Sequence, residues 1–141
     1  GINVALGNDG PPCNNTLDPF TEMRQASLLG KVDELDATTL PARTVFEMAT
    51  ANGAEAAGFD HVGRLREGWK ADVIGLRTDR MRAVPIHDVY SHLVFSAHGD
   101  DVAFTMVDGD VLFEGSEHVG VDAAAVRQRA REYELDGAVG E

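Results

Sequence analysis

The segment INVALGNDGPPCNN, running from Ile2 to Asn15, decides how this chain is read. Its apolar run Val4-Ala5-Leu6 predicts a short strand, and the Gly7-Asn8-Asp9-Gly10 that follows predicts a turn. Asp9 then stands just past a strand's C-terminal end. In a barrel of alternating strands and helices chemistry collects at that end, so the carboxylate is a candidate catalytic group. Asp before Gly is also a common turn pair with no chemical duty. From this segment alone both readings stand.

Outward from it the pattern is helical and then stranded. Leu17 to Val32 places Phe20, Met23, Ala26 or Ser27, and Val32 at helical spacing, with Asn15 or Thr16 as the candidate N-cap. A second helix is expected after Pro41, burying Val45, Met48 and Ala49. A third, short one is capped by Asn52 and ended by Gly58. Met23, Met48 and Trp69 are read as packing residues. From Gly63 onward short strands are expected: a turn over Gly63 to Gly68, a strand over Ala71 to Leu76, and a hairpin whose arms Val102 to Val107 and Val111 to Phe113 flank Asp108-Gly109. His87 and Asp88 invite a metal hypothesis, but neighbours on a strand point to opposite faces, so Pro85 to Asp88 is read as a loop or helix start. His98, before Gly99, is read as a turn residue. The stretch from Val121 to Leu135 reads as an amphipathic helix whose Arg127, Arg129 and Arg131 make surface ion pairs.

Composition narrows the classes of function. With 141 residues, 43% of them hydrophobic, the chain can bury a moderate core. No apolar run approaches membrane-spanning length and no signal peptide is visible at Gly1, so no membrane partner is expected. The single Cys13 excludes an internal disulfide and fits a reducing cytoplasm. Acidic residues number 24 against 12 basic ones, for a net charge of −12, which argues against a nucleic-acid partner. Two accounts of the acidity are open: an ordinary acidic enzyme, or adaptation to high salt, where repulsion is screened and hydrated carboxylates keep the protein soluble. Lys31 and Lys70 are the only lysines, and that scarcity favours the halophilic account.

Three motifs in order carry a resemblance. Gly7-Asn8-Asp9-Gly10, Cys13-Asn14-Asn15, Leu17-Asp18 and Glu22-Met23-Arg24 match a G-T-D-G turn, S-N-N, and a helix reading L-D and then E-M-R. Ala49-Thr50-Ala51-Asn52-Gly53-Ala54 matches A-T-x-N-G-A, and Gly63 to Asp72 matches G-x-L-x-x-G-x-x-A-D. In these the chain resembles the amidohydrolase superfamily, in its branch of methylthioadenosine/S-adenosylhomocysteine deaminases and chlorohydrolase-like enzymes. The resemblance implies an α/β fold: the C-terminal part of a metal-dependent hydrolase TIM barrel, with its last strand and trailing helices, plus part of a small β-sandwich domain. The implied division is 1–60 for the end of the barrel, 61–118 for the returning strands of the β-domain, and 119–141 for a C-terminal helix.

The same resemblance implies a site. Family members hold a divalent metal through a His-x-His pair, two later histidines and the Asp after the last barrel strand. Only that Asp has a counterpart here, Asp9. The five histidines, His61, His87, His92, His98 and His118, all lie downstream of it, and none are spaced as His-x-His. The chain is therefore expected to be the C-terminal part of a longer enzyme. Its implied reaction is hydrolytic deamination of a purine-like or other nitrogen heterocycle, a small-molecule substrate. The divalent metal, zinc by expectation, lowers the pKa of a bound water. Asp9 is implied both as metal ligand and as catalytic group, accepting a proton from that water and later helping deliver one to the leaving ammonia. Asn14 and Asn15 border the implied pocket, where they either bind substrate or cap the next helix. Cys13, where the family has Ser, is expected to be a small pocket-side residue and not a nucleophile. Asp72, of the Ala-Asp pair, is assigned a structural role in a tight turn. Asn8 in place of Thr, and Pro11-Pro12, leave the substrate open. Two other functions remain: a chlorohydrolase or cyclic-amide hydrolase of the same superfamily, or a non-catalytic truncated chain that self-associates as a homo-oligomer through an exposed barrel edge.

Overall fold

Two helices and a returning helical turn enclose the core. The computed structural model describes residues 1–136, the side chains of Asn14 and of residues 134–136 excepted. After a single turn, α1 (Pro11–Asn14), come α2 (Pro19–Asp33) and α3 (Ala42–Ala49), which pack on each other and on a π-helical turn over His92–Ser96. Phe20 and Met23 of α2, Ala42 and Val45 of α3, and Val94 and Ala97 form the buried cluster, with Val45 and Val94 wholly inaccessible. Helical spacing thus places Phe20, Met23, Ser27, Val45 and Met48 as expected, whereas Val32 lies exposed beyond the contact.

The ends of these helices have identifiable causes. Asp18 caps α2: its Oδ1 accepts the N–H of Phe20 at 3.0 Å, its Oδ2 accepts the hydroxyl of Thr21 at 2.7 Å, and Pro19 occupies the first turn. Asn15 and Thr16 do not take that position. Asn15 is in the left-handed region, φ 59°, closing α1, whereas an N-cap needs extended backbone. Inside α2, the buried Ser27 donates to Leu40 O at 2.8 Å and accepts from Lys31 Nζ at 3.1 Å, tying the helix to the loop that returns toward α3.

Thr50 breaks α3 from α4 (Ala51–Ala56). Its backbone, φ −126° and ψ −90°, leaves the helical region, and its hydroxyl bonds back to Phe46 O at 2.7 Å. Thr50 therefore holds the N-cap position of α4, and Asn52 lies inside the helix instead of capping it. Gly58, φ 73°, follows its end. Gly63, φ 81°, closes on the start of α4: a Cβ there would lie 2.9 Å from Ala51 Cα and 3.1 Å from Thr50 O. The glycine that opens one motif is thus packed against the first residues of another.

The second half carries one antiparallel sheet of four strands in the order β1 (Val73–Leu76), β2 (Val102–Val107), β3 (Asp110–Glu114), β4 (Glu117–His118). The hairpin turns at Asp108 and Gly109, both at positive φ (51° and 89°), as a two-residue turn closing a right-twisted hairpin requires. Asp72 accepts the N–H of Asp108 at 2.7 Å, which is the structural duty assigned to it, and Lys70 pairs with Asp108 at 3.1 Å. Gly75 faces Phe104 across the ladder, where a Cβ would overlap the ring.

Expectations for two further segments are corrected. Residues 2–6 form no strand: a strand is defined by a ladder, and among the described residues this segment makes one backbone bond, Leu6 N–H to Met48 O at 3.0 Å, plus side-chain contacts to Asn52. Between β1 and β2 the chain is not stranded. It makes short helical turns at Met81–Ala83, at α5 (Val89–Ser91) running into the π turn, and at Gly99–Asp101. Asp88 starts α5 by accepting the N–H of Ser91 at 2.7 Å, and the π turn is closed by Ala97 N–H to His92 O at 2.9 Å. Helix α6 (Ala123–Asp136), capped by Asp122, forms where a helix was expected, and none of its described side chains is buried; Val126 and Tyr133 are exposed. Among the described residues no helix is long and apolar enough to cross a membrane.

Candidate active site

Asp9 is placed by the way the first ten residues lie on α3 and α4. Leu6 packs its side chain against the core and donates its N–H to Met48 O at 3.0 Å. Two residues earlier Val4 O accepts from Asn52 Nδ2 at 3.1 Å, and Asn3 Nδ2 donates to Asn52 O at 3.2 Å. The chain then turns through Asp9, whose φ of 55° is a left-handed conformation that Asp tolerates better than most residues. That turn sends the backbone into α1, where Pro11 and Pro12 occupy positions whose N–H groups would have had no helical partner.

Local donors engage both carboxylate oxygens of Asp9. Oδ1 accepts the N–H of Gly10 at 2.9 Å and Oδ2 accepts the Cys13 thiol at 3.2 Å. Asp9 and Cys13 are both exposed, so the carboxylate has a fixed orientation and an open approach. Asn15, exposed, donates its N–H to Pro11 O at 2.7 Å and closes α1, while the capping of α2 belongs to Asp18. Asn14 ends α1, and its side chain lies outside the described ones. Asp9, Cys13 and Asn15 are thereby gathered on one short turn.

A zinc centre needs about three protein ligands and an open position. Among the described residues no group of three or more His, Cys, Asp or Glu side chains converges, so these residues alone do not fit a complete metal centre. His61 meets Trp69 edge-on at 5.8 Å, and His118 lies 5.2 Å from the ring of Phe113. His98 caps the Gly99–Asp101 turn through its N–H to Asp101 Oδ2 at 3.0 Å.

The long-range bonds of two other residues had no signal in the sequence. Asp101 is buried, pairs with Arg80 at 3.4 Å and with Arg82, and receives the His98 N–H. Burial pushes its pKa up, but the His98 N–H and the guanidinium groups of Arg82 and Arg80 outweigh that and hold it below the ordinary carboxylate value. Its geometry fastens the 80–82 turn to the 98–101 turn, a structural role. Asn52 reaches back nearly fifty positions in sequence to residues 3 and 4, which no periodicity announces. A concavity lined by Asn52, Glu55, Phe59, His61, Arg64 and Trp69 opens beside α4, and Asp9 is not part of it.

The comparisons with known proteins agree on the family. The model of the amidohydrolase family matches residues 1–112. The whole chain aligns at 46% identity with a 5-methylthioadenosine/S-adenosylhomocysteine deaminase of Halobacterium salinarum, covering 33% of that protein. Among solved structures, an adenosine deaminase of Xanthomonas campestris with bound zinc superposes with a TM-score of 0.93 at 34% identity, over 96% of this chain and 31% of that one. An atrazine chlorohydrolase of Arthrobacter aurescens complexed with zinc gives a TM-score of 0.80 at 27% identity, over 94% and 30%. The chain thus spans about a third of the length of the relatives it matches.

Proposed function

The chain belongs to the amidohydrolase family, and from that premise we propose that it contributes one metal ligand, Asp9, to an enzyme that hydrolytically deaminates an adenosine-like heterocycle. The observation that carries the proposal is the presentation of Asp9: an exposed carboxylate on a left-handed turn, its orientation held by Gly10 N–H and the Cys13 thiol. A carboxylate so fixed suits a residue that must offer one oxygen to a cation and the other to a proton. Zinc, when bound by Asp9 together with the ligands of the complete enzyme, would supply a water acidic enough to ionise to hydroxide near neutral pH. Asn14 and Asn15, on the same turn, are proposed to border the heterocycle. Relatives that are deaminases support this substrate class, and the acidic composition and single cysteine fit a protein of a salt-rich cytoplasm. The division at residues 60 and 118, between barrel end, returning strands and terminal helix, goes with this reading.

A protein of the relatives' full length that includes this chain tests the proposal. Ammonia release from adenosine-type substrates is expected, and Asp9→Ala is expected to abolish it and to weaken zinc retention while the fold persists. Normal turnover by that variant overturns the assignment. The likeness to a chlorohydrolase favours a second reading, displacement of a ring substituent other than an amine. Chloride release in place of ammonia from a matched pair of substrates decides for it.

A further inference from the structure

The hydrogen bonds between the N-terminal segment and α4 point to a duty for Asn52 that its place in a helix does not suggest. Its side-chain amide donates to Val4 O at 3.1 Å, and its main-chain carbonyl accepts from Asn3 Nδ2 at 3.2 Å. Together with Leu6 N–H on Met48 O, these are the described bonds that fasten residues 3–6 to the helical core. Among the described residues no ladder holds this segment, so within this chain these bonds and the packing of Leu6 on the core locate it. Asn52 is itself held firmly. The break at Thr50 sets the direction of α4, and Gly63 packs against Ala51 and Thr50 so tightly that no Cβ fits between. Hydrogen bonds are directional, so a donor on a rigid arm fixes the depth and rotation of the strand-like segment it meets.

We propose that Asn52 is a positioning residue for Asp9: by clamping Asn3 and Val4 from α4 it sets where the segment ending in the Asp9 turn lies against the barrel-end helices. The clamp stands on its own hydrogen bonds; its consequence for catalysis rests on the reading of Asp9 as a metal ligand. An amide is required because the group facing Val4 O must donate. Asp keeps the size of the side chain but turns an acceptor toward an acceptor, and Leu keeps the bulk without the donor.

The chain carries one tryptophan and one cysteine, a built-in distance pair. Trp69, fixed between His61 and Arg66, serves as donor to an energy-transfer acceptor attached at the exposed Cys13 on the turn after Asp9; the label removes the thiol's bond to Asp9 in every protein compared, so labelled wild type is the reference. Time-resolved transfer in the 141-residue chain is compared among wild type, Asn52→Asp, Asn52→Leu and Asn52→Ala, with amide hydrogen exchange followed on the unlabelled proteins. The expected result is a broadened distance distribution in all three variants, with exchange at the Leu6 amide faster by up to about tenfold, the worth of the one side-chain hydrogen bond that each variant removes. Exchange at the core amides of Met23 and Val45 is expected to stay as in wild type. A wild-type distribution and wild-type Leu6 exchange in Asn52→Asp overturn the proposal. Equal acceleration at Leu6 and Val45 overturns it as well, since Asn52 would then support the whole fold. The reading of Asp9 fails separately: unchanged zinc retention on Asp9→Asn in the relatives' full-length context removes that reading and leaves the clamp standing.

Discussion

At the scale of single residues, the carboxylates of this chain divide into those that are held and those that are presented. Asp9 is presented: exposed, with donors from its own turn on each oxygen. Asp101 is held: buried, and bonded to Arg82, Arg80 and the His98 backbone. Because its folded pKa lies below the ordinary value, its stabilising effect is complete above about pH 4, where the unfolded carboxyl is ionised, and fades as pH falls through the lower folded value. Asp101→Asn is expected to destabilise the chain by about 2 kcal/mol at neutral pH, below the usual cost of breaking a fully buried pair because the arginines keep part of their contact with water. The difference in melting temperature between wild type and variant should be constant from pH 7 to 5 and narrow below pH 4. A gap that persists to pH 2.5 would show that the carboxylate's charge is not what matters.

At the scale of elements, capping separates what the sequence discloses from what it does not. Asp18 begins α2 through two side-chain bonds, so Asp18→Ala should cost about 1 kcal/mol, seen as a lower denaturant midpoint with unchanged slope. An unaltered midpoint would mean that Pro19 and tertiary packing suffice. Helices α2 and α3 were legible because Phe20, Met23, Val45 and Met48 recur at a period that only a buried helix face explains. The hairpin was legible because Asp108-Gly109 meets a backbone requirement few other pairs meet. Within residues 81–101 the start at Asp88 and the turn at His98 were legible, but the helical turns themselves were not, because one-turn helices are too short to show a period and their apolar residues serve a core assembled from distant segments. Residues 2–6 have the composition of a strand without a strand to pair with in the described residues, since pairing is a property of two segments and composition of one. For the candidate site, the turn at Asp9 was legible from the Gly7-Asn8-Asp9-Gly10 sequence. The support from Asn52 was not, because a long-range amide bond leaves no local pattern.

At the scale of the whole molecule, the dominant fact is a net charge of −12 spread over 141 residues. Ion pairs among the described residues relieve little of the resulting repulsion: Arg43 with Glu47 and Lys70 with Asp108 are exposed pairs of small worth, and Arg80 and Arg82 converge on the same Asp101. Repulsion among the surface carboxylates then acts against the compact state, and added salt relieves it as the Debye length falls from about 30 Å at 0.01 M to about 3 Å at 1 M. If the acidity is an adaptation to salt, the melting temperature should climb across that range in potassium chloride. Relief of about 1 kcal/mol would read as a rise of roughly 4 °C in a domain of this size. Screening and surface exclusion of salt both stabilise, but they differ in form. Screening acts mostly at low concentration and saturates once the Debye length is shorter than the spacing of the charges, whereas exclusion continues to grow with concentration. A steep rise that levels off before molar salt supports halophilic design of the surface. A melting temperature that does not move, or one that rises only in proportion to salt with no early steep phase, returns the acidity to that of an ordinary acidic enzyme.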